Sequence, residues 1–217
     1  MRSELHPWRT PGPATQRQRV LDVAGDLFAD RGFDDVTMAE IAEAAKVARA
    51  TVFNYFGSKH ALVEALTETV LDVFREMLDD ALADEAAATP DLIRHLYEQM
   101  ARGIEMQRRF FRGIFREIAR IQLGLDEGLV AQQANDDAQT RLQQLVERGQ
   151  ARGDINETLP ADAVARAFRS LANGTINGWL YTDGTGSLVD LMRAAADVFL
   201  SSVERTPPVR PAKGANR

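Results

Sequence analysis

Apolar residues recur at helical spacing along most of this chain. Val20, Leu21, Ala24, Leu27 and Phe28 stand at i, i+1, i+4, i+7 and i+8, which predicts a helix over Thr15–Asp30 stopped by Gly32. Val47, Val52 and Phe56 give the apolar side of a short segment ending at Gly57. Leu62, Leu66, Val70, Val73, Phe74 and Met77 mark a long helix over Lys59–Ala83, with Ser58 as its cap. Leu92, Ile93, Leu96, Tyr97 and Met100 mark the next over Asp91–Arg102, and Gly103 weakens the pattern before it resumes over Met106–Leu123. Ala138, Leu142, Leu145 and Val146 anchor a glutamine-rich helix over Leu129–Ala151. Pro160 then opens a helix carrying Val164, Ala167, Phe168, Leu171 and Ala172 on to Trp179. After the loop Thr182–Ser187, the residues Leu191, Met192, Ala195, Val198 and Phe199 share one side of a last helix over Leu188–Val203. The pattern predicts an all-α protein of about nine helices.

The stretch Thr37–Lys59 reads as two short helices joined by a tight turn. Thr37 is the N-cap of the first, Met38–Ala45, and Glu40 stands three residues on, at the capping-box position. The turn runs through Lys46, Val47 and Ala48, and the second helix spans Arg49–Phe56. With Val52 and Phe56 turned inward, Arg49, Ala50, Thr51, Asn54 and Tyr55 face out. That surface is small, polar and aromatic, and from Ala44 to His60 there are three cations and no acid. Such a helix suits a DNA major groove, where small residues permit close approach and Arg or Asn can read base edges. On pattern alone, an ordinary packed helical hairpin stays open.

Charge changes this picture only once it is divided. The chain carries a net −6, which looks wrong for a DNA binder. Residues 1–60 hold eight cationic and eight acidic residues, 61–204 hold 14 and 24, and 205–217 hold four and none. The acidic excess therefore lies away from the hairpin, where it would repel DNA and turn the N-terminal face towards it. Residues 1–14, with Pro7, Pro11, Pro13, Arg2 and Arg9, read as a flexible basic arm, and the Pro-rich tail 206–217 as disordered. Arg108, Arg109, Arg112, Arg116 and Arg120 read as a solvated helix face with local partners in Glu105 and Glu117.

The run Leu27–Leu62 resembles the signature of the TetR family of bacterial regulators. The matching pieces are Leu27 and Phe28, then Arg31, Gly32 and Phe33, then Thr37, Ile41, Ala42, Thr51 and Val52, and finally Tyr55, Phe56, Ser58, Lys59, Ala61 and Leu62. Two positions depart. Lys46 stands where the family usually has a glycine with positive φ, and Phe53 where it commonly has Tyr, whose hydroxyl contact with phosphate is not carried over. The resemblance implies a three-helix helix-turn-helix DNA-binding domain at 15–60 and a helical ligand-binding and dimerisation domain at 61–205.

It further implies a homodimer that places the Arg49–Tyr55 helices in the major grooves of a palindromic, double-stranded DNA operator. Arg49 and Asn54 are then the base readers, and Ala50 and Thr51 meet thymine methyls. Thr37, Lys46, Tyr55 and Lys59 hold phosphate, and Met38 completes the DNA-binding set. Tyr97, Met100, Phe111, Phe115 and Trp179 are the expected ligand-binding residues for a small, largely apolar effector that releases a repressor from DNA. Phe168, Leu171, Gly174, Gly178, Leu191, Ala195 and Phe199 are the expected dimer interface; the two glycines leave one face nearly bare backbone for a neighbouring helix.

Catalysis finds little support. There is no Cys, the three histidines are scattered, and no metalloprotease, nucleophile-elbow or phosphate-loop motif is present. The reading is of a non-enzymatic regulator without cofactor or metal. With no apolar run near the ~20 residues a bilayer span needs, it is also cytoplasmic and free of membrane contact. A constitutive DNA-binding regulator without ligand and a helical protein-interaction module remain as alternatives.

Overall fold

The computed structural model describes residues 15–113, 129–182 and 185–204. Nine helical segments occur among them: α1 Gln16–Arg31, α2 Met38–Ala44, α3 Arg49–Phe56, α4 Lys59–Ala83, α5 Thr89–Met106, α6 over 108–113, α7 Leu129–Arg152, α8 Ala161–Tyr181 and α9 Leu188–Val203. The arm 1–14, the tail 206–217 and the helix positions Phe115, Arg116, Glu117 and Arg120 lie outside the described residues. Among those residues, the one pairing of extended backbone is an isolated bridge between Ile155 and Glu204.

Helix starts follow the small polar residues. Thr15 accepts from the Gln18 amide at 3.2 Å, Ser58 from Ala61 at 3.1 Å and Ser187 from Asp190 at 3.2 Å. Each satisfies an amide that the first helical turn leaves unpaired. Gly32 and Gly57 close α1 and α3 at φ 81° and 72°, donating back to the carbonyls of Phe28 and Phe53. Pro160 sits at the N-cap of α8, one position before the helical residues.

Two helix boundaries differ from the expectation. α5 begins at Thr89, with Pro90 in its first turn where a missing N–H costs nothing, and it runs through Gly103. A lone glycine costs a helix only about 1 kcal/mol, and Ala101 and Ile104 pack against the core on either side of it. The break falls instead at Gln107, and α6 resumes from there.

Helices α1–α3 form a small head around Val20, Ala24, Phe28, Val36, Ile41 and Val52, all fully buried. α4 leaves this head through Leu62 and Leu66 and packs lengthwise on α7. α5, α8 and α9 complete the body, with α9 against both α5 and α8. At its centre Tyr97, Phe168 and Phe199 join three helices: the Tyr97 and Phe168 rings meet edge-on at 4.6 Å, and Phe168 meets Phe199 at 5.9 Å. The Tyr97 hydroxyl donates to the Phe168 carbonyl at 2.9 Å, and burial pushes its ionisation upward.

Side chains also cap between helices. Arg148 on α7 donates to the carbonyls of Ala81 and Leu82 at the end of α4, at 3.0 and 2.8 Å. The Glu105 carboxylate at the end of α5 accepts from the amides of Leu188 and Val189 that open α9. Both place the charge that a helix end favours. No described helix is long and apolar enough to cross a membrane.

Candidate nucleic-acid interface and effector cavity

Two helix ends hold the α2–α3 hairpin. At the start of α2, Thr37 Oγ1 accepts from the Glu40 amide at 3.3 Å while Glu40 Oε2 accepts from the Thr37 amide at 2.8 Å. The capping box expected from the sequence is therefore closed. Arg31 adds a hydrogen-bonded ion pair to Glu40 Oε1 at 2.8 Å. The Thr37 hydroxyl first, and Arg31 next, hold the Glu40 carboxyl at about 2, well below its ordinary value. At the turn, Lys46 adopts φ 56°, the sole positive φ outside glycine among the described residues. The left-handed turn is thus made with a lysine in the place where glycine would be free of strain.

Helix α3 buries Val52 and Phe56 and turns Arg49, Ala50, Asn54 and Tyr55 to solvent, with Thr51 half-buried beside them. Lys46 is exposed at its approach. Phe53 is also outward and 44 % exposed; it lies one turn from Arg49 and Ala50. Sequence reasoning set this position aside for its missing hydroxyl. Its signal was its spacing, three and four residues from the outward Ala50 and Arg49. Tyr55 Oη donates to Gln16 Oε1 at 3.1 Å, which ties the exposed face back to α1, and Arg17 stacks over Phe56 at 4.9 Å.

Two residues of the expected DNA-binding set have other positions. Met38 is buried at the start of α2 and packs into the head's core, because the capping box turns its side chain inward. Lys59 reaches under the α1–α2 connection. Its Nζ donates to the carbonyls of Phe33 and Val36 at 2.7 and 2.8 Å, with Asp34 at 3.4 Å, and lies 4.2 Å from the Phe33 ring centre. Three carbonyls and a ring face hold the ammonium inside the head, so it is not free to reach a phosphate.

The body contains a cavity of about 120 Å³ between α4, α5, α6, α7 and α8. Val70, Phe74, Met100, Ile104, Phe111 and Ile176 supply most of its apolar wall, with Thr67, Arg169, Asn173 and Asn177 among the polar lining. Of the expected ligand residues, Met100 and Phe111 line it, and Phe115 lies outside the described residues. Tyr97 does not line it; it is spent in the aromatic centre of the body. Neither does Trp179, whose Nε1 donates to the Gly186 carbonyl at 3.1 Å and whose ring lies 5.7 Å from Arg108.

The expected interface residues divide likewise. Phe168, Ala195 and Phe199 are buried within this chain, while Gly174, Gly178 and Leu191 are exposed and Leu171 is half-buried. A Cβ built on either glycine would meet nothing within 4 Å. Tyr181, 82 % exposed, and Val198, 65 % exposed, continue the same outer side of α8 and α9. Among the described residues no cluster of His, Asp and Glu suits a metal.

Comparison with known proteins finds two family models along the chain. The family model of bacterial regulatory proteins of the tetR family matches residues 20–66, and the tetracycline-repressor-like C-terminal domain matches 87–203. The transcriptional regulator AlkX of Mycobacterium tuberculosis is 28% identical over 202 residues, 93% of this chain and 81% of that protein. The transcriptional repressor KstR2 of Rhodococcus jostii is 32% identical over 93 residues, 41% of this chain and 45% of that protein. Among solved structures, Thermus thermophilus FadR with lauroyl-CoA superposes at TM-score 0.68 and 22% identity, covering 90% of this chain and 99% of that one. Bacillus subtilis FadR with stearoyl-CoA superposes at 0.66 and 19% identity, covering 86% and 98%.

Proposed function

Since this chain belongs to the TetR family of DNA-binding transcriptional regulators, we propose that it is a homodimeric repressor of a palindromic operator, released by a small, largely apolar effector. The observation that carries this reading is the joining of two sites in one chain: an acid-free reader helix and a buried apolar cavity, connected by α4 and α6.

In this reading residues 15–60 are the reading head and 61–205 the effector and dimer body. Arg49 and Asn54 meet base edges, Ala50 and Thr51 approach thymine methyls, and Phe53 adds an apolar contact on the same face. Thr37, Lys46 and Tyr55 meet phosphate and set register without reading sequence. The outer side of α8 and α9, with Gly174, Gly178, Leu191 and Val198, pairs with its copy, as in other helical bundles. The two reader helices then stand about 34–36 Å apart, or a multiple of it.

An effector entering beside Met100 and Phe111 favours a spacing of the heads that no longer fits two half-sites. It need only prefer that state by a few kcal/mol. Acyl-CoA bound in the two FadR structures supports an apolar chain as a guest of this fold.

Footprinting of the purified protein on the DNA flanking its own gene, at two salt concentrations, tests the reading. A protected palindrome whose affinity falls with salt is expected. Asn54→Ala should relax preference at one operator position at a cost of about 1–3 kcal/mol. An absence of protection at low salt would instead favour a helical protein-interaction module.

A further inference from the structure

The cavity wall contains a polar group that the protein itself leaves unused. Thr67, in the third turn of α4, is 6 % exposed, and its Oγ1 has no hydrogen-bond partner among the described residues. It lines the cavity. A hydroxyl buried without a partner is destabilising by about the cost of its lost hydration, and native interiors hold few of them. The nearby Thr69 shows the ordinary alternative, donating to the Ala65 carbonyl at 3.0 Å within its own helix. Thr67 makes no such bond.

Across the cavity the polar lining comes from α8. Asn173 and Asn177 are four residues apart and so share one face. Arg169 is charged and stands on the same lining face. The wall therefore offers hydrogen-bonding groups set in a mostly hydrocarbon surface.

We infer that the effector is an oxygenated apolar molecule whose hydrocarbon body fills the wall between Phe74, Met100 and Phe111 and whose hydroxyl or carbonyl oxygen pairs with Thr67. This rests on the effector reading above and names the class of molecule it admits. A pure hydrocarbon would leave the Thr67 hydroxyl orphaned in the bound state. Specificity of this kind comes from the buried polar group that the wrong ligand leaves unpaired.

The test uses three probes with one carbon skeleton, ethylbenzene, 1-phenylethanol and acetophenone, measured by calorimetry on the full-length protein. What is read is the ratio of dissociation constants between each oxygenated probe and ethylbenzene, which cancels the shared skeleton. Thr67→Val, of the same shape, should move that ratio about tenfold against the oxygenated probes. Thr67→Ser, which keeps the hydroxyl, should leave it near the wild-type value. Without ligand, Thr67→Val should melt a few degrees higher, because the unpaired hydroxyl is gone.

The same ratio in wild type and Thr67→Val, a failure of all three probes to bind, or a lower melting temperature for Thr67→Val would each overturn the inference. The operator footprint is read separately. An intact footprint with an unmoved ratio sinks this inference alone, and an absent footprint sinks the regulator reading.

Discussion

The backbone N–H of Phe33 donates to the carbonyl of Gly113 at 2.9 Å, and this bond joins the reading head to the wall of the cavity. Gly113 lies two residues beyond Phe111, which lines the cavity. Phe33 lies at the mouth of the α1–α2 connection, with Lys59 over its ring and His60 edge-on at 4.9 Å. In the proposed switch, a displacement of α6 would reach the base of the helix-turn-helix through backbone and not through a flexible side chain.

Gly113→Ala tests that junction. A Cβ at Gly113 would stand 2.0 Å from the Phe28 carbonyl oxygen and 2.8 Å from its carbon. Backbone cannot yield as a side-chain end does, so head and body must part. We expect a loss of about 1–3 kcal/mol in thermal unfolding, together with weaker operator protection. Unchanged melting and protection would mean that α6 does not bear on the head.

Lys59→Met separates a structural lysine from a phosphate contact. It keeps the stem and removes the ammonium that the Phe33 and Val36 carbonyls share. The expected cost is about 1.5–3 kcal/mol of stability, the usual worth of charge-assisted hydrogen bonds. The dependence of operator affinity on salt should keep its slope. A slope lower by about one would restore the phosphate role.

Lys46→Gly should stabilise the head. Lys46 holds φ 56°, a conformation that glycine adopts without a Cβ penalty. The gain is about 1 kcal/mol, less the extra chain entropy that glycine brings to the unfolded state. Differential scanning calorimetry checks it, and a lower melting temperature would show that the lysine side chain offsets its own strain. The same variant should weaken DNA binding if Lys46 meets phosphate.

Glu40 gives the head a pH dependence of known sign. Its carboxyl is lowered from 4.5 to about 2, chiefly by the Thr37 hydroxyl and then by Arg31. The folded state therefore binds its proton later than the unfolded chain does. Its stabilising contribution is present in full above the unfolded value and is lost as pH falls through that value towards 2. Chemical denaturation at steps between pH 5 and 2.5 should show stability falling, and Glu40→Gln should flatten part of that fall. Glu98 and Asp162, also lowered by arginine partners, supply a remaining slope in both proteins.

Val198→Glu addresses the outer side of α8 and α9. Val198 is 65 % exposed, so the change should leave the subunit's own melting within about 0.5 kcal/mol. In the proposed dimer it places a charge in an apolar contact. The dimer dissociation constant in sedimentation should rise at least about tenfold. A dimer as tight as wild type would move the interface elsewhere.

Local chemistry made the elements readable and left their partners open. Thr37 and Glu40 announced their helix start because both halves of the capping box lie within one turn of sequence. The α3 stripe of Val52 and Phe56 was legible for the same reason. Phe168 and Phe199 were not: their spacing marks a buried face but is silent on whether the burial is against α5 of the same chain or against a second copy. Lys59 was read from its charge alone, while its role depends on three carbonyls more than twenty residues earlier. Thr67 carried no sequence signal, since a threonine with an unpaired hydroxyl reads the same as Thr69, whose hydroxyl is paired.

Gly113 also constrains anyone who would rewire the protein. A different sensing body grafted behind this head would have to bring a residue without a side chain to the position that faces the Phe28 carbonyl. Otherwise the two parts would fold side by side without meshing, and a hybrid could recognise both its signal and its DNA while carrying no message between them. Splice points chosen in the α4 stem alone would miss this second seam.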